Sequence, residues 1–206
     1  GIRDTSVNGV QTCALPIFRR LPRTLALGVY DHGYVACVER AVPVPEGRTR
    51  WRERMWHVRA KEIVVATGAI ERPLIHDGND RPGTMLASAA RAYANRYGVA
   101  AGKRAVVFAN NDDAYRTALD LADSGIEVAG ILDLRQDLTG AVPALAREKG
   151  LRVLAGYAVV GTRGRTRLKA VEAAPVDDPS NRQIIECDLL AVSGGWNPAQ
   201  IGRAHV

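Results

Sequence analysis

The stretch VVFANNDDAY, residues 106 to 115, stands at a strand-to-helix turn, where a glycine fingerprint would cradle a phosphate. Aligned on the strand, the three glycine positions of G-x-G-x-x-G fall on Ala109, Asn111 and Ala114. The first two replacements remove the freedom needed for a tight turn and for close backbone approach to a diphosphate, whereas Ala114 still allows close helix packing. Asp112 and Asp113 follow, at the helix N-terminus, where free N–H groups and the positive end of the dipole would otherwise receive an anion. The expectation is an anion site filled from within by carboxylates. Asp133, at the end of the next strand, holds the position at which such units bind a ribose hydroxyl; without a phosphate cradle it reads as structural.

Two further groups could line a ligand pocket. Thr67 and Gly68 close the run IVVATG, and Gly194 and Gly195 close LLAVSGG. A glycine at the carboxyl end of a parallel strand lets backbone lie against a cofactor, and a threonine offers it a hydroxyl. The plain alternative is a glycine needed only for positive φ. His32 and His57 lie in the meander and read as surface or half-buried residues; His76 and Asp77, after the hinge, read as plain loop, with a place facing a pocket as the alternative. Tyr115 and Arg116 read as a packed and a snorkelling side chain on the first helix of the turn. No residue is assigned as acid, base or nucleophile. Cys13, Cys37 and Cys187 are far apart and form no C-x-x-C, which argues against disulfide-reductase chemistry and against zinc.

The elements that must position these residues follow from period and punctuation. Two alternating runs from Thr24 are joined by Asp31-His32-Gly33, a hairpin signal, and RMWHVRAK continues the meander after a Pro/Gly loop at 43 to 47. Glu62 to Ala66 reads as a buried strand, since its Ile63-Val64-Val65 run is apolar on both faces, as an interior parallel strand would be. Met85 to Tyr97 has helical spacing and stops at Gly98. From Lys103 the text alternates strand and helix: RAVVFA, then Asp112 to Ser124, IEVAGILDL, VPALAREK and LRVLAG. That order requires a right-handed parallel sheet. A charged hairpin follows at 157 to 174, and CDLLAVSGGWNP returns as an apolar strand. The reading is α/β, with residues 18–98 a partial first FAD/NAD(P)-binding domain with a β meander, 99–183 an inserted Rossmann-like domain, 184–199 a return strand to the first domain, and Ala69 to Pro73 the outgoing hinge.

The chain has 206 residues, 47% of them hydrophobic, and 20 glycines, enough to bury a core. No apolar run approaches the roughly 18 residues of a membrane span, and CALPIF is too short for a signal-peptide core. The expectation is a soluble, cytoplasmic protein. The net charge of +6 raises nucleic acid as a partner. Its densest source, Arg50, Arg52 and Arg54 alternating with Trp51, Glu53 and Met55, has the period of a strand with one wet face, and no nucleic-acid partner is expected. The first 17 residues, GIRDTSVNGVQTCALPI, and the last seven, 200–206, have no hydrophobic period and read like translated sequencing adapters. A natural tail is the alternative.

The segments RAKEIVVATGAIERPLIHDGNDRPGTMLASAARAYANRYGV, GKRAVVFANNDDAYRTALDLADSGIEV and CDLLAVSGGWNPA together resemble the alpha subunits of heterotetrameric sarcosine oxidases. ATGAIERP is shared more widely, with amine- and opine-oxidising subunits and pyridine-nucleotide reductases; NDRPGTMLASA with FANNDDAYRTA is the more specific pair. The resemblance implies a two-dinucleotide-domain flavoprotein that binds NAD, with beta, gamma and delta partner subunits. It implies FAD in the beta subunit, FMN at the alpha/beta interface, and tetrahydrofolate accepting the carbon removed as sarcosine becomes glycine. The family's upstream G-x-G-x-x-G and its folate region are absent from this sequence. Only Thr67, Gly68, Gly194 and Gly195 carry over, as the wall of the first cofactor pocket. Two alternatives stay open: a related opine- or hydroxyproline-type dehydrogenase subunit, and a non-catalytic assembly module.

Overall fold

The computed structural model describes residues 18–41 and 52–199. Both adapter-like stretches, Cys13, the loop at 43 to 47, Arg50 and Trp51 lie outside the described residues. Two compact units divide the chain, one ending at Ala66 and the other spanning Thr67–Ala199.

The first unit is an antiparallel meander of β1 (Thr24–Tyr30), β2 (Tyr34–Arg40) and β3 (Glu53–Arg59). The hairpin stands at the expected residues: His32 and Gly33 both take positive φ, at 58° and 66°, which lets the strands reverse over three residues. Gly33 is required for space as well. A Cβ there would stand 2.1 Å from the Ala60 carbonyl oxygen. In β3, Trp56 and Val58 are half-buried while Glu53, Arg54, Met55, His57 and Arg59 are exposed, so the arginines lie on a solvated strand. Trp56 donates to Glu39 at 2.8 Å and carries the Arg54 guanidinium over its ring at 5.6 Å.

One expectation fails here. Glu62 to Ala66 forms no strand, and Val64 is 91% exposed. A strand exists only where a neighbour supplies the other half of its hydrogen-bond ladder, and no described strand runs beside this run.

The second unit contains β4 (Ala69–Glu71), β5 (Thr84–Leu86), α1 (Ala87–Tyr97), β6 (Arg104–Ala109), α2 (Asp113–Asp123) and β7 (Glu127–Asp133). It continues with α3 (Ala141–Glu148), β8 (Val153–Ala155), β9 (Tyr157–Arg163), β10 (Ala170–Pro175), β11 (Gln183–Glu186), β12 (Leu189–Ser193) and β13 (Trp196–Pro198). Five strands form a parallel sheet in the order β5-β12-β6-β7-β8. This is the α/β, Rossmann-like sheet that the strand-helix alternation requires. Its two faces are covered by different layers. Ala105, Val107 and Ala109 of β6 pack with α1, α2 and α3, whereas Val106 and Phe108 pack with Val159, Val171 and Ile185 of the antiparallel sheet β11-β10-β9. Strands buried on both sides are apolar on both faces, which is why AVVFA of β6 and LLAV of β12 show no alternation.

Helix ends follow their punctuation. Gly98 takes a left-handed conformation and its N–H bonds the Ala94 carbonyl at 3.1 Å, while Val99 bonds that of Tyr93 at 3.0 Å, closing α1. Ser124 and Gly125 close α2 in the same way.

The apolar run CDLLAVSGG supplies an interior strand of the sheet. β12 pairs in parallel with both β5 and β6 inside the second unit's sheet. All five residues of β12 are buried, and only a two-faced slot satisfies them. The outgoing segment β4 and the returning segment β13 then pair antiparallel as a two-stranded ribbon. The third strand of the covering sheet, β11, was not anticipated from the hairpin; the turn cluster DDPSN before QIIE is the signal for it.

Leu190, fully buried in β12, should lose about 2–5 kcal/mol of stability on replacement by alanine in urea unfolding, whereas Leu27→Ala on the exposed side of β1 should change it by less than about 0.5 kcal/mol.

Candidate functional site

The turn between β6 and α2 is built around Asn111. Its amide oxygen accepts the N–H groups of Asp113 at 3.1 Å and Ala114 at 3.3 Å, the donors that a docked phosphate would need. Its amide nitrogen donates to Ser193 Oγ at 3.0 Å and to the Ser193 carbonyl at 3.2 Å, which anchors the turn to the end of β12. The expected filling from within is present, but its agent is a neutral amide. The carboxylates of Asp112 and Asp113 turn away. Asp112 makes no cap bond and accepts from the Arg135 guanidinium at 2.8 Å; Asp113 stands 3.7 Å from Arg91. An asparagine two residues ahead of free N–H groups closes an Asx turn locally, while arginines from elsewhere in the unit draw the aspartates outward.

Asp133, at the end of β7, is fully buried. Tyr115 on α2 donates its hydroxyl to it at 2.8 Å, and Arg135 donates its backbone N–H at 2.9 Å and its Nη2 at 2.8 Å. The position that would take a ribose hydroxyl is thus bonded to its own chain. Asp133 holds the Arg135 guanidinium far above its ordinary range, chiefly through these hydrogen bonds, and burial followed by Asp133 raises the Tyr115 phenol. Gly140 makes room for the network: a Cβ there would stand 2.5 Å from an Asp112 carboxylate oxygen. Two aspartates against one arginine leave the network one negative charge in excess. Neither its donors nor its charge fits a dinucleotide diphosphate.

The four residues expected at a pocket wall, Thr67, Gly68, Gly194 and Gly195, lie along the ribbon. Thr67 donates its hydroxyl to the Ala199 carbonyl, whose own N–H bonds the Gly68 carbonyl at 2.9 Å. Gly68 has φ of 78° and open space where a Cβ would project. Gly194 bonds the Arg72 carbonyl at 2.6 Å, and a Cβ on it would meet the carbonyl oxygens of Arg72 and Pro73 at 2.9 Å. Gly195, with φ of 91°, accepts from the Arg72 N–H at 2.8 Å. All four therefore serve the approach of the outgoing and returning segments to each other. The two pairs are gathered onto one ribbon.

Among the remaining expected residues, His57 is exposed and shares a 2.6 Å hydrogen bond with Tyr34. His76 is buried rather than a plain loop residue: its Nδ1 lies 3.1 Å from the Leu74 carbonyl and its ring meets Phe108 edge-on. Burial lowers its pKa. Cys187 is buried, and burial first, then Asp188, pushes its thiol up to about 12, so it is a packing residue and not a nucleophile. Among the described residues no group of three or more His, Cys, Asp or Glu is placed to hold a metal. Sequence reasoning missed Tyr115 and Arg135 as partners of Asp133; a tyrosine at the first turn of the helix and an arginine two residues past a strand-end acid are the signal.

No family model matches the chain. Curated relatives do. The chain is 45% identical over 186 residues to "Sarcosine oxidase subunit alpha" of Corynebacterium sp. (strain P-1), covering 86% of this chain and 19% of that protein. It is 40% identical over 201 residues to the subunit of the same name from Rhizobium meliloti (strain 1021), covering 95% and 19%. The chain matches a segment of sarcosine oxidase alpha subunits. It spans about a fifth of their length, 19%. Among solved structures, a thioredoxin reductase from T. acidophilum matches with a TM-score of 0.56 at 13% identity, covering 85% of this chain and 53% of that one. An L-proline dehydrogenase from P. horikoshii matches with 0.52 at 20% identity, covering 85% and 28%. At such identities these likenesses establish the fold.

Gly194→Ala should cost about 1–3 kcal/mol by wedging the ribbon open, against about 1–2 kcal/mol for Gly68→Ala, whose penalty is backbone strain alone; proteolysis within residues 69–73 should accelerate only in the first. Tyr115→Phe should lower stability by about 1.5–3 kcal/mol, the range of a hydrogen bond to a charged group, read from urea midpoints. Because the unfolded chain binds a proton at His76 more readily than the folded one, stability should fall as pH drops through the ordinary histidine value of 6.5, and His76→Phe should lack that part of the fall.

Proposed function

We propose that this chain is a segment of the alpha subunit of a flavin-dependent complex that oxidatively demethylates sarcosine to glycine. In that reading the amine is oxidised in a partner subunit, and beta, gamma and delta chains complete a cytoplasmic assembly. The alpha subunit holds NAD, with FAD and FMN elsewhere in the complex and tetrahydrofolate as one-carbon acceptor. The identity of 40–45% to sarcosine oxidase alpha subunits supports it most directly. The described residues contain no helix long and apolar enough to cross a membrane.

The site chemistry gives the two domains of that reading different tasks. The Rossmann-like unit has its helix N–H groups taken by Asn111 and its acid position taken by Tyr115 and Arg135, so no cofactor step is assigned to it. It acts as architecture. NAD is then held by the first FAD/NAD(P)-binding domain, to which residues 18–98 and 184–199 contribute, with Thr67, Gly68, Gly194 and Gly195 as the wall of its pocket. Gly68 supports this, since space is open where its side chain would be. The same filled turn favours one other reading, an assembly module in which both nucleotide sites are vestigial.

Calorimetric titration tests the division. The 206-residue chain should bind NAD weakly or not at all, and a polypeptide restored to the length of the relatives should bind it one to one. A tight complex with the short chain, or a diphosphate seated on the amides of Asp113 and Ala114, overturns the assignment. Failure of the restored protein to bind favours the assembly module, and hydrogen peroxide released from sarcosine by the reconstituted complex checks the activity itself.

A further inference from the structure

The antiparallel register of the first unit sets Tyr34 of β2 opposite Tyr30 of β1 and Arg59 of β3, with Ala36 opposite His57. Alternate residues of a strand share a face, so Tyr30, Tyr34, His57 and Arg59 stand on one side of the meander. There the Tyr34 hydroxyl lies 2.6 Å from His57 Nδ1, and the two rings stack with centroids 5.7 Å apart. The Arg59 guanidinium stands 5.7 Å from the centre of the Tyr34 ring. A hydroxyl within hydrogen-bond reach of an imidazole is the arrangement of a nucleophile and its base. We propose that Tyr34 is an acceptor site for small acyl groups, with His57 as the base that takes its proton.

His57 is exposed, and its Nε2 makes no hydrogen bond among the described residues, so solvent can hold the ring in the tautomer whose Nδ1 accepts from the hydroxyl. In the transfer, the phenolic oxygen attacks the acyl carbon. A carbon–oxygen bond forms, and the bond from that carbon to its leaving group breaks. The phenolic proton passes to Nδ1, the leaving group takes a proton from solvent, and nothing is oxidised or reduced. Arg59, which makes no ion pair among the described residues, places positive charge beside the ring as negative charge develops on the phenolic oxygen. The more exposed tyrosines lack such a base. Tyr30, Tyr93 and Tyr97 are 55%, 46% and 62% exposed, against a half-buried Tyr34, and none of their hydroxyls has a partner among the described residues. Access alone therefore ranks Tyr34 last of the four, whereas a neighbouring base ranks it first. The site lies within the first unit and is independent of the sarcosine oxidase assignment.

The test is brief treatment of the 206-residue chain with N-acetylimidazole, with acetyl-tyrosine located by peptide mass. Tyr34 should acetylate ahead of Tyr30, Tyr93 and Tyr97, and the preference should vanish in the urea-unfolded chain. His57→Gln keeps a hydrogen-bond acceptor but offers no base. It should slow Tyr34 by at least about 10-fold, less than the roughly 100-fold from a base whose substrate is also held in place, and leave Tyr93 and Tyr97 unchanged. Should that variant fail to fold, the order among the four tyrosines of the unaltered chain decides the matter. Acetylation in order of exposure, a Tyr34 preference that survives unfolding, or a folded His57→Gln chain that reacts at Tyr34 as fast as the original overturns the proposal.

Discussion

The parallel pairing of β12 between β5 and β6 is the constraint on which the second unit depends. It brings a strand from the far end of the unit into the interior of the sheet, where all five of its residues are buried. Everything at its carboxyl end is placed by that insertion. Ser193 receives the Asn111 amide, Gly194 and Gly195 meet the Arg72 backbone, and β13 is delivered alongside β4. A strand placed this way pairs with neighbours far from it in the sequence, so the entropy of closing a long loop is paid before its contacts form.

The turn beside it shows how a nucleotide-type fold can keep its shape while its ligand contacts are spent internally. A helix N-terminus needs acceptors for its free N–H groups, and either a bound anion or a side chain can supply them. Here Asn111 supplies them, and Asp133 is likewise satisfied by Tyr115 and Arg135. Such networks rigidify a core because every member is paired, and removing one leaves a buried charge exposed to a low dielectric.

Some expectations were legible because they rest on local chemistry. The hairpin at Asp31-His32-Gly33, the helix ends at Gly98 and Gly125, and the strand-helix alternation from Lys103 all follow from backbone freedom and period. The candidate site was legible only in part. That the phosphate berth was filled could be read from the loss of its glycines, but aspartates were the expected agents and asparagine is the actual one. The difference arises because Arg135 and Arg91, on other elements, compete for the carboxylates. Likewise Gly194 was marked as a close approach, and the partner proved to be the carbonyls of Arg72 and Pro73.

What the order of residues determined was the α/β class, the punctuation of its elements and the absence of a phosphate-binding turn, since each depends on residues within a few positions of one another. Tertiary structure alone decided where the two apolar runs went: Leu189–Ser193 found neighbours on both edges and became an interior strand, while Ile63, Val64 and Val65 found none among the described strands and formed no strand. The physical reason is that a strand is half of a hydrogen-bonded pair, and the other half is supplied by chain that no local window contains.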